Sequence, residues 1–476
     1  MNVYDLVEYP SYAIPQSYPD KLAVVAAMFG MSPVSPEKAR VLDVGCGSGG
    51  NLLPMATLWP DGEYVGIDLA STAIDKAKAK AERLGLENVR LECADLMDLP
   101  ADFGTFDYII AHGFISWVPH QVREQLFQVC HDRLTPQGIG YISFNAYPGC
   151  HVRDMFREIM MEHTRGIEDP NERASEARSI VEVIAESGIS SDAIQELARS
   201  ERDIICRKST GALLHDELEI NFRSLYFHEF EAMAARHGLQ FVYEAVYNEG
   251  QPPLNLTEEA LDLLAQAQQR GVLVYEQYLD FLKLRRFRQC LVTHAGVPLN
   301  REAPAKSMHQ FHYGAPLQRA DVPEGVEFSN PGTKGAVVTP NPVTITALDR
   351  IAKAWPSTIE FDQLADDPDG RASLEPILER FFAAGLIDAH ATARVCPQQM
   401  SAKPEVWSYA RLQAESERVL TPLTLVGVSV EDSNVRKLVL LADGTRTIDE
   451  LAGELGDRAG VERALAGAAR MGFLVR

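Results

Sequence analysis

The stretch ARVLDVGCGSGGNLLPMATLW, residues 39–59, decides the fold. ARVLDV is an apolar run of strand length, the glycines at 45, 47, 49 and 50 permit a tight turn, and NLLPMATLW has helical periodicity, so strand, turn and helix follow one another. Gly45, Gly47 and Gly49 let the backbone pass close beneath a ligand. The helix that follows presents unpaired N–H groups to a carboxylate or phosphate. The spacing Gly45-Cys46-Gly47-Ser48-Gly49-Gly50 also satisfies the GxGxxG dinucleotide fingerprint, so the glycines by themselves leave an NAD-type oxidoreductase open.

The same rhythm continues outward. EYVGIDL reads as a second strand, Ser71 as the cap of an Ala/Lys-rich helix ending near Leu84, and NVRLECAD as a third strand. FDYIIAH is a buried fourth strand, VREQLFQVCHDRL an amphipathic helix, and IGYISFN a fifth strand, which makes 40–145 a doubly wound α/β unit. Sheet signals resume only at LQFVYEAVY and RQCLVTH. The class is therefore α/β, a doubly wound Rossmann-like sheet over 1–296 with helical insertions at 148–220 and 251–286 that can cover the ligand crevice. Residues 297–342, rich in Pro, Gly, His and Asn, read as a connector. Short amphipathic helices over 343–476 read as a smaller α or α+β domain of winged-helix type with an accessory or substrate-recognition role.

With 46% hydrophobic and 24% charged residues the chain is globular, and 45 Lys plus Arg against 67 Asp plus Glu give a net charge of −22 that repels nucleic acid. No apolar run approaches the roughly 20 residues of a membrane span, and the acidic, Pro/Tyr-containing start lacks the features of a signal peptide, so a cytoplasmic protein without membrane insertion is expected. The seven cysteines form no CxxC pair and read as buried thiols. His309 and His312 lack the further ligands of a metal site, and none is expected. The basic strip KLRRFRQ, 283–289, is a candidate docking surface for an acidic protein segment.

Asp43 closes the first strand, Asp68 the second and Asp95 the third, so three acids meet at one crevice, an arrangement that favours a nucleoside bearing a cation. On VLDVGCGSGG (41–50), GIDLA (66–70), CADLMDL (93–99) and FDYIIAHG (106–113) the chain closely resembles the class I S-adenosylmethionine-dependent methyltransferases. The resemblance implies S-adenosyl-L-methionine as cofactor, with Gly45 and Gly47 at its methionine part, Asp68 with Leu69 at the ribose, and Asp95 with Leu96 at the adenine edge. Asp43 would orient the loop or the ligand amino group. NLLPMA, AHGFISWVP, YISFNAYPG, YFHEFEAMAARHGLQFVYEA and FRQCLVTH extend the resemblance to bacterial methyltransferases with a methyltransferase regulatory domain. These include protein lysine methyltransferases acting on outer-membrane proteins. Ser17-Tyr18-Pro19-Asp20 departs from the Thr-His before Pro-Asp common in such relatives.

Methylation of a protein lysine is therefore expected, the alternatives being a small-molecule amine, hydroxyl or carboxylate of secondary metabolism, or a noncatalytic binding protein. His112, at the end of the fourth strand, is the candidate base or positioning group and also faces the cofactor. Trp117 and Tyr147 are candidate walls of the acceptor pocket, and Asn145 a positioning group for an amine or a peptide backbone. Asn51 either caps the helix after the glycine loop or meets the cofactor carboxylate. Tyr4, Tyr9 and Tyr12 lie in a segment suited to fold over a ligand.

Overall fold

The computed structural model describes residues 9–188, 191–302, 304–333, 335–397 and 399–476, so Tyr4 lies outside the described residues. Apolar runs too short for helices form β1 (Arg40–Val44), β2 (Glu63–Asp68), β3 (Val89–Cys93), β4 (Phe106–Ala111) and β5 (Leu134–Asn145), all parallel. β6 (Leu239–Glu244) and β7 (Phe287–His294) complete a seven-stranded sheet in the order β3-β2-β1-β4-β5-β7-β6, with β7 antiparallel to both neighbours. Every residue of β4 is buried, as a central strand covered on both faces requires. The strand order reverses between β1 and β4, and Val44 pairs with Ile67 while Asp68 pairs with Cys93, so the carboxyl ends of β1, β2 and β3 open onto one crevice.

Helices α1 (Pro19–Met28), α2 (Leu52–Leu58), α3 (Ser71–Leu84) and α4 (His120–Arg133) accompany the parallel strands. Ser71 does not cap α3. It is the first residue inside the helix, the N-cap position is held by Ala70, and Asp68 Oδ1 accepts from the Ala70 N–H at 2.8 Å. Gly85, at φ 67°, ends that helix in the left-handed conformation that glycine adopts without a Cβ clash.

The stretch expected to be a helical insertion at 148–220 contains α5 (Cys150–His163), α6 (Pro170–Ala185), α7 (Asp192–Cys206) and α8 (Thr210–Glu217). These helices share a core of their own, built on Phe156, Met160, Val181 and Leu213. After α9 (Phe227–Arg236), the second helical stretch supplies α10 (Glu258–Gln269) and α11 (Val272–Lys283).

The arginines of the basic strip at 283–289 are paired with carboxylates of this chain instead of forming a free docking surface, and two of them, Arg285 and Arg288, are buried. Arg288, wholly buried, donates to Asp280 at 2.9 Å, Glu244 at 2.6 Å and Glu276 at 3.0 Å, and its guanidinium lies 4.1 Å from the centre of the Phe227 ring. Arg285 pairs with Asp280 and Arg286 with Glu201. Strand alternation sends Arg288 to the interior, where three carboxylates from β6 and α11 neutralise it.

Residues 297–342, read from sequence as a connector, carry ordered strands. β8 (His312–Gly314) is the middle strand between β12 (Ile359–Glu360) and β13 (Asp388–His390), while β9 (Gln318–Val322), β10 (Gly325–Ser329) and β11 (Ala336–Thr339) form a separate antiparallel sheet. His309 pairs with Glu375 at 3.4 Å, and His312 opens β8. Six further helices follow: α12 (Pro342–Ala354), α13 (Pro368–Ala383), α14 (Ser408–Ala414), α15 (Ser433–Leu441), α16 (Ile448–Leu455) and α17 (Arg458–Met471). The C-terminal part is thus α+β. It is joined to the large sheet's helices by α14 packing on α2 and α3, by Lys80–Glu417 at 2.9 Å and by a buried His390–Asp20 contact at 2.7 Å. Among the described residues no helix is long and apolar enough to cross a membrane.

Replacing Arg288 by Met leaves buried Glu276 without a cation and Asp280 and Glu244 with Arg285 alone. A loss of about 3–5 kcal/mol is expected, read as a lowered urea midpoint, and an unchanged midpoint would contradict the ion cluster's role.

Candidate functional site

The glycine loop is held in place from three sides. Gly45, Gly47 and Gly49 have φ of +76°, +53° and +77°, a region that side chains with a Cβ rarely enter. The N–H groups of Gly45 and Cys46 both donate to Ile67 O (2.8 and 3.1 Å), and the Gly47 N–H donates to Asp68 Oδ2 at 2.9 Å, folding the loop over the end of β2. From the N-terminal side, Ser11 Oγ accepts from the Gly50 N–H at 2.8 Å. From behind, the buried Tyr409 hydroxyl of α14 donates to Gly50 O at 3.3 Å.

Asn51, at the N-terminus of α2, makes no side-chain cap bond and lines the cavity. Its Oδ1 accepts from the Ile14 N–H at 2.9 Å and its Nδ2 donates to Ser17 Oγ at 3.0 Å, so it ties the N-terminal strap, residues 9–17, to the loop. Gly49 does not line the cavity. It lies under the loop, where a Cβ would meet Leu53 Cγ at 2.8 Å and Ala77 Cβ at 3.3 Å, so glycine is needed for helix packing there.

A cavity of about 1330 Å³ opens over the loop, larger than the roughly 300–1,000 Å³ of most small-ligand pockets. Asp43, Asp68 and Asp95 all line it, together with Gly45, Gly47, Leu69, Leu96 and the strap tyrosines Tyr9 and Tyr12. Asp43 is buried and its Oδ2 has no hydrogen-bond partner among the described residues. Burial, reinforced by the charge of Asp68, pushes its pKa up to about 7. Asp95 Oδ1 accepts from the Met97 N–H at 2.9 Å, which fixes the turn that brings Leu96 into the wall.

On the far side of the cavity stand His112, Trp117 and Asn145. His112 Nδ1 lies 2.8 Å from the Tyr141 hydroxyl, which itself donates to Gln289 Oε1 at 2.8 Å. Ser143 Oγ lies 3.3 Å from the same nitrogen, so Nδ1 is engaged within the protein by two hydroxyls. Burial lowers the His112 pKa to about 4, and the ring is neutral near pH 7. Trp117 packs on Phe222 with ring centres 4.8 Å apart.

Tyr147 does not line the cavity. Its N–H donates to Leu225 O at 3.0 Å, its hydroxyl donates to Asp154 Oδ2 at 2.6 Å, and its ring stacks on His151 with centres 4.1 Å apart. Residues without a sequence signal complete the lining: Ser11 and Phe114, Phe287 of β7, and Arg153, Lys208 and His215 of the helical insertion. They sit on helices, loops and the first residue of β7, whose patterns mark a buried face without saying what it faces.

A sheet in this strand order, with acids from three strand ends meeting a glycine loop, is the architecture of a class I methyltransferase. Residues 41–138 match the methyltransferase domain family and residues 209–294 the predicted methyltransferase regulatory domain. The uncharacterised protein RP789 of Rickettsia prowazekii is 31% identical over 77% of this chain and 68% of its own. RP028 of the same organism is 34% identical over 48% of this chain and 91% of its own. The structure of PKMT2 from Rickettsia typhi, also solved in complex with AdoHcy, shares the fold at a TM-score of 0.87 and 24% identity, over 98% of this chain and 100% of that one. The chain belongs to the S-adenosylmethionine-dependent methyltransferases that join a methyltransferase domain to a methyltransferase regulatory domain.

A Cβ at Gly50 would lie 2.4 Å from the Ser11 carbonyl. Gly50→Ala is therefore expected to lift the strap off the loop and speed limited proteolysis before residue 18 at least about fivefold, as a local opening would. An unchanged cleavage rate would show that the strap is held elsewhere.

Proposed function

We propose that this protein transfers a methyl group from S-adenosylmethionine to the side-chain amine of a lysine in another protein. The observation that carries the cofactor reading is the buried, unpartnered Asp43 Oδ2 in a cavity that also holds Asp68 and Asp95. A carboxylate without a donor fits the ligand's ammonium group. Asp68 uses one lone pair on each oxygen for Gly47 and Ala70 and keeps the others for ribose hydroxyls, while Asp95 and Leu96 stand at the adenine edge. When bound, S-adenosylmethionine supplies an electrophilic methyl group on a sulfonium. The lysine reading is supported by the sequence resemblance to protein lysine methyltransferases and by the fold shared with PKMT2 over nearly the whole chain.

The chain's own residues position and desolvate. A free lysine, with a pKa near about 10.4, is mostly protonated at neutral pH, and a dry pocket favours its neutral, nucleophilic form. Phe114, Trp117 and Phe287 give the cavity apolar wall area, which disfavours water beside the acceptor. His112, neutral and held by Tyr141, orients the acceptor rather than acting as a strong base, because a pKa of about 4 gives it little affinity for a proton at neutral pH. All seven cysteines are free thiols, which suits a reducing cytoplasmic setting, and the acidic surplus suits a cationic acceptor over a polyanion.

One observation favours the second reading, a small-molecule acceptor: among the described residues, none from the C-terminal part lines the cavity. Incubating the protein with methyl-labelled cofactor and a fractionated cell extract separates the two. Label on protein lysines is expected, and label confined to metabolites sinks the lysine reading.

Binding of a cation beside Asp43 draws on its ionised form, and that carboxyl titrates near pH 7. Cofactor affinity measured by calorimetry should therefore fall about tenfold per pH unit below that point and level off toward about pH 7.5, before the ligand amine loses its proton. Asp43→Asn should bind more weakly and lose this slope. A slope retained in that variant would assign the titration to another group.

A further inference from the structure

Arg153 of α5 joins the acceptor side of the cavity to the regulatory segment. Its Nη1 donates to Asn145 Oδ1 at 2.6 Å, its Nη2 to Glu217 Oε1 at 2.7 Å and to Asp216 O at 3.1 Å, and its Nε to Glu217 Oε2 at 3.0 Å. The guanidinium also lies 5.3 Å from the centre of the Trp117 ring. Glu217 is almost wholly buried and also receives Lys208 Nζ at 2.6 Å. Burial acts to raise its pKa, but Arg153 and Lys208 outweigh burial and hold Glu217 below the usual carboxylate range, so the clamp stays ionised.

A guanidinium carries only donors, so the end of the Asn145 carboxamide facing Arg153 is the oxygen, and the NH₂ is the other end. The Asn145 backbone is committed as well: its N–H donates to Ser116 Oγ at 2.9 Å and its carbonyl accepts from the Leu225 N–H at 2.9 Å. Asn145 lines the cavity, and no described group accepts a hydrogen bond from its Nδ2. Its side chain therefore offers the cavity N–H donors. Those donors are complementary to an oxygen lone pair, while the Oδ1 that could accept from an ammonium is turned to Arg153.

We infer that Arg153 and Glu217 are positioning residues that lock Asn145 as a donor to a backbone carbonyl of the acceptor, so that the site takes an amine carried on a peptide chain and discriminates against amines on a hydrocarbon chain. This rests on the protein-acceptor reading above. It gives the regulatory segment a physical role, since Glu217 lies within residues 209–294.

The test uses the full chain, methyl-labelled S-adenosylmethionine, and two amine polymers: poly-L-lysine, rich in backbone carbonyls, and polyallylamine, which has none. The wild type should label poly-L-lysine and leave polyallylamine near background. Asn145→Asp keeps an oxygen for Arg153 and replaces the NH₂ with an acceptor. It should raise the KM for poly-L-lysine at least about tenfold while cofactor affinity stays within about twofold. Glu217→Gln, which loosens Arg153, should raise the same KM with a smaller effect on kcat. An unchanged KM in Asn145→Asp, equal labelling of both polymers by the wild type, or a loss of cofactor affinity in Asn145→Asp would each overturn the inference. Wild-type protein that labels neither polymer would remove the lysine reading first, and this inference with it.

Discussion

The two oxygens of Asp68 divide their work: one holds the N–H of Gly47, the other that of Ala70. That pair of hydrogen bonds fixes the glycine loop to the end of β2 and sets the entry of α3, so the loop's three left-handed glycines keep one shape although their conformational freedom is large. The strap can then lie on the loop through Ser11 and Asn51, and the hydroxyl of Tyr409 can reach its outer carbonyl. A loop gripped from both ends of the chain is preorganised, which reduces the ordering that a ligand must impose on binding.

The chain's charge of −22 is unevenly used. Several of its cations are spent inside: Arg285, Arg286 and Arg288 on carboxylates of the sheet and insertions, Arg153 and Lys208 on Glu217. Such pairs contribute little net stability when measured against well-packed apolar residues, but each fixes a geometry that apolar contacts would leave looser. Around Arg288 that geometry joins β6, β7 and α11. Around Arg153 it belongs to the cavity itself.

Much of this was legible in the residues. Apolar runs of strand length marked the strands, and the acids closing three of them, Asp43, Asp68 and Asp95, do meet in one cavity. What misled were residues whose partners are distant in sequence. Asn51 and Ser71 read as caps, but the Asn51 side chain bonds to the strap and the cap position before Ser71 falls on Ala70, whose N–H is held by Asp68. KLRRFRQ looks like a surface strip because its carboxylate partners, Glu201, Glu244, Glu276 and Asp280, are contributed by other elements. Tyr147 follows β5, where a pocket wall is expected, yet its backbone bond to Leu225 and its ring contact with His151 hold it outside the cavity lining. The strands of 297–342 are short, and only β10 has the alternating burial that a pattern search could use. Arg153 gave no signal at all, since an arginine on an amphipathic helix reads as solvated until its neighbours are known.

The placement of β7 between β5 and β6 has a consequence for synthesis of the chain. When Asn145 leaves the ribosome the hydrogen-bonding edge of β5 is bare, and its permanent partner is complete only at His294. At synthesis rates of about 5–20 residues per second, that edge waits roughly 8–30 seconds. An unpaired, apolar strand edge is a template for aggregation. The helices made during that interval, α5 to α11, are therefore available to shield the nascent sheet, and two of them, α5 and α8, go on to line its cavity.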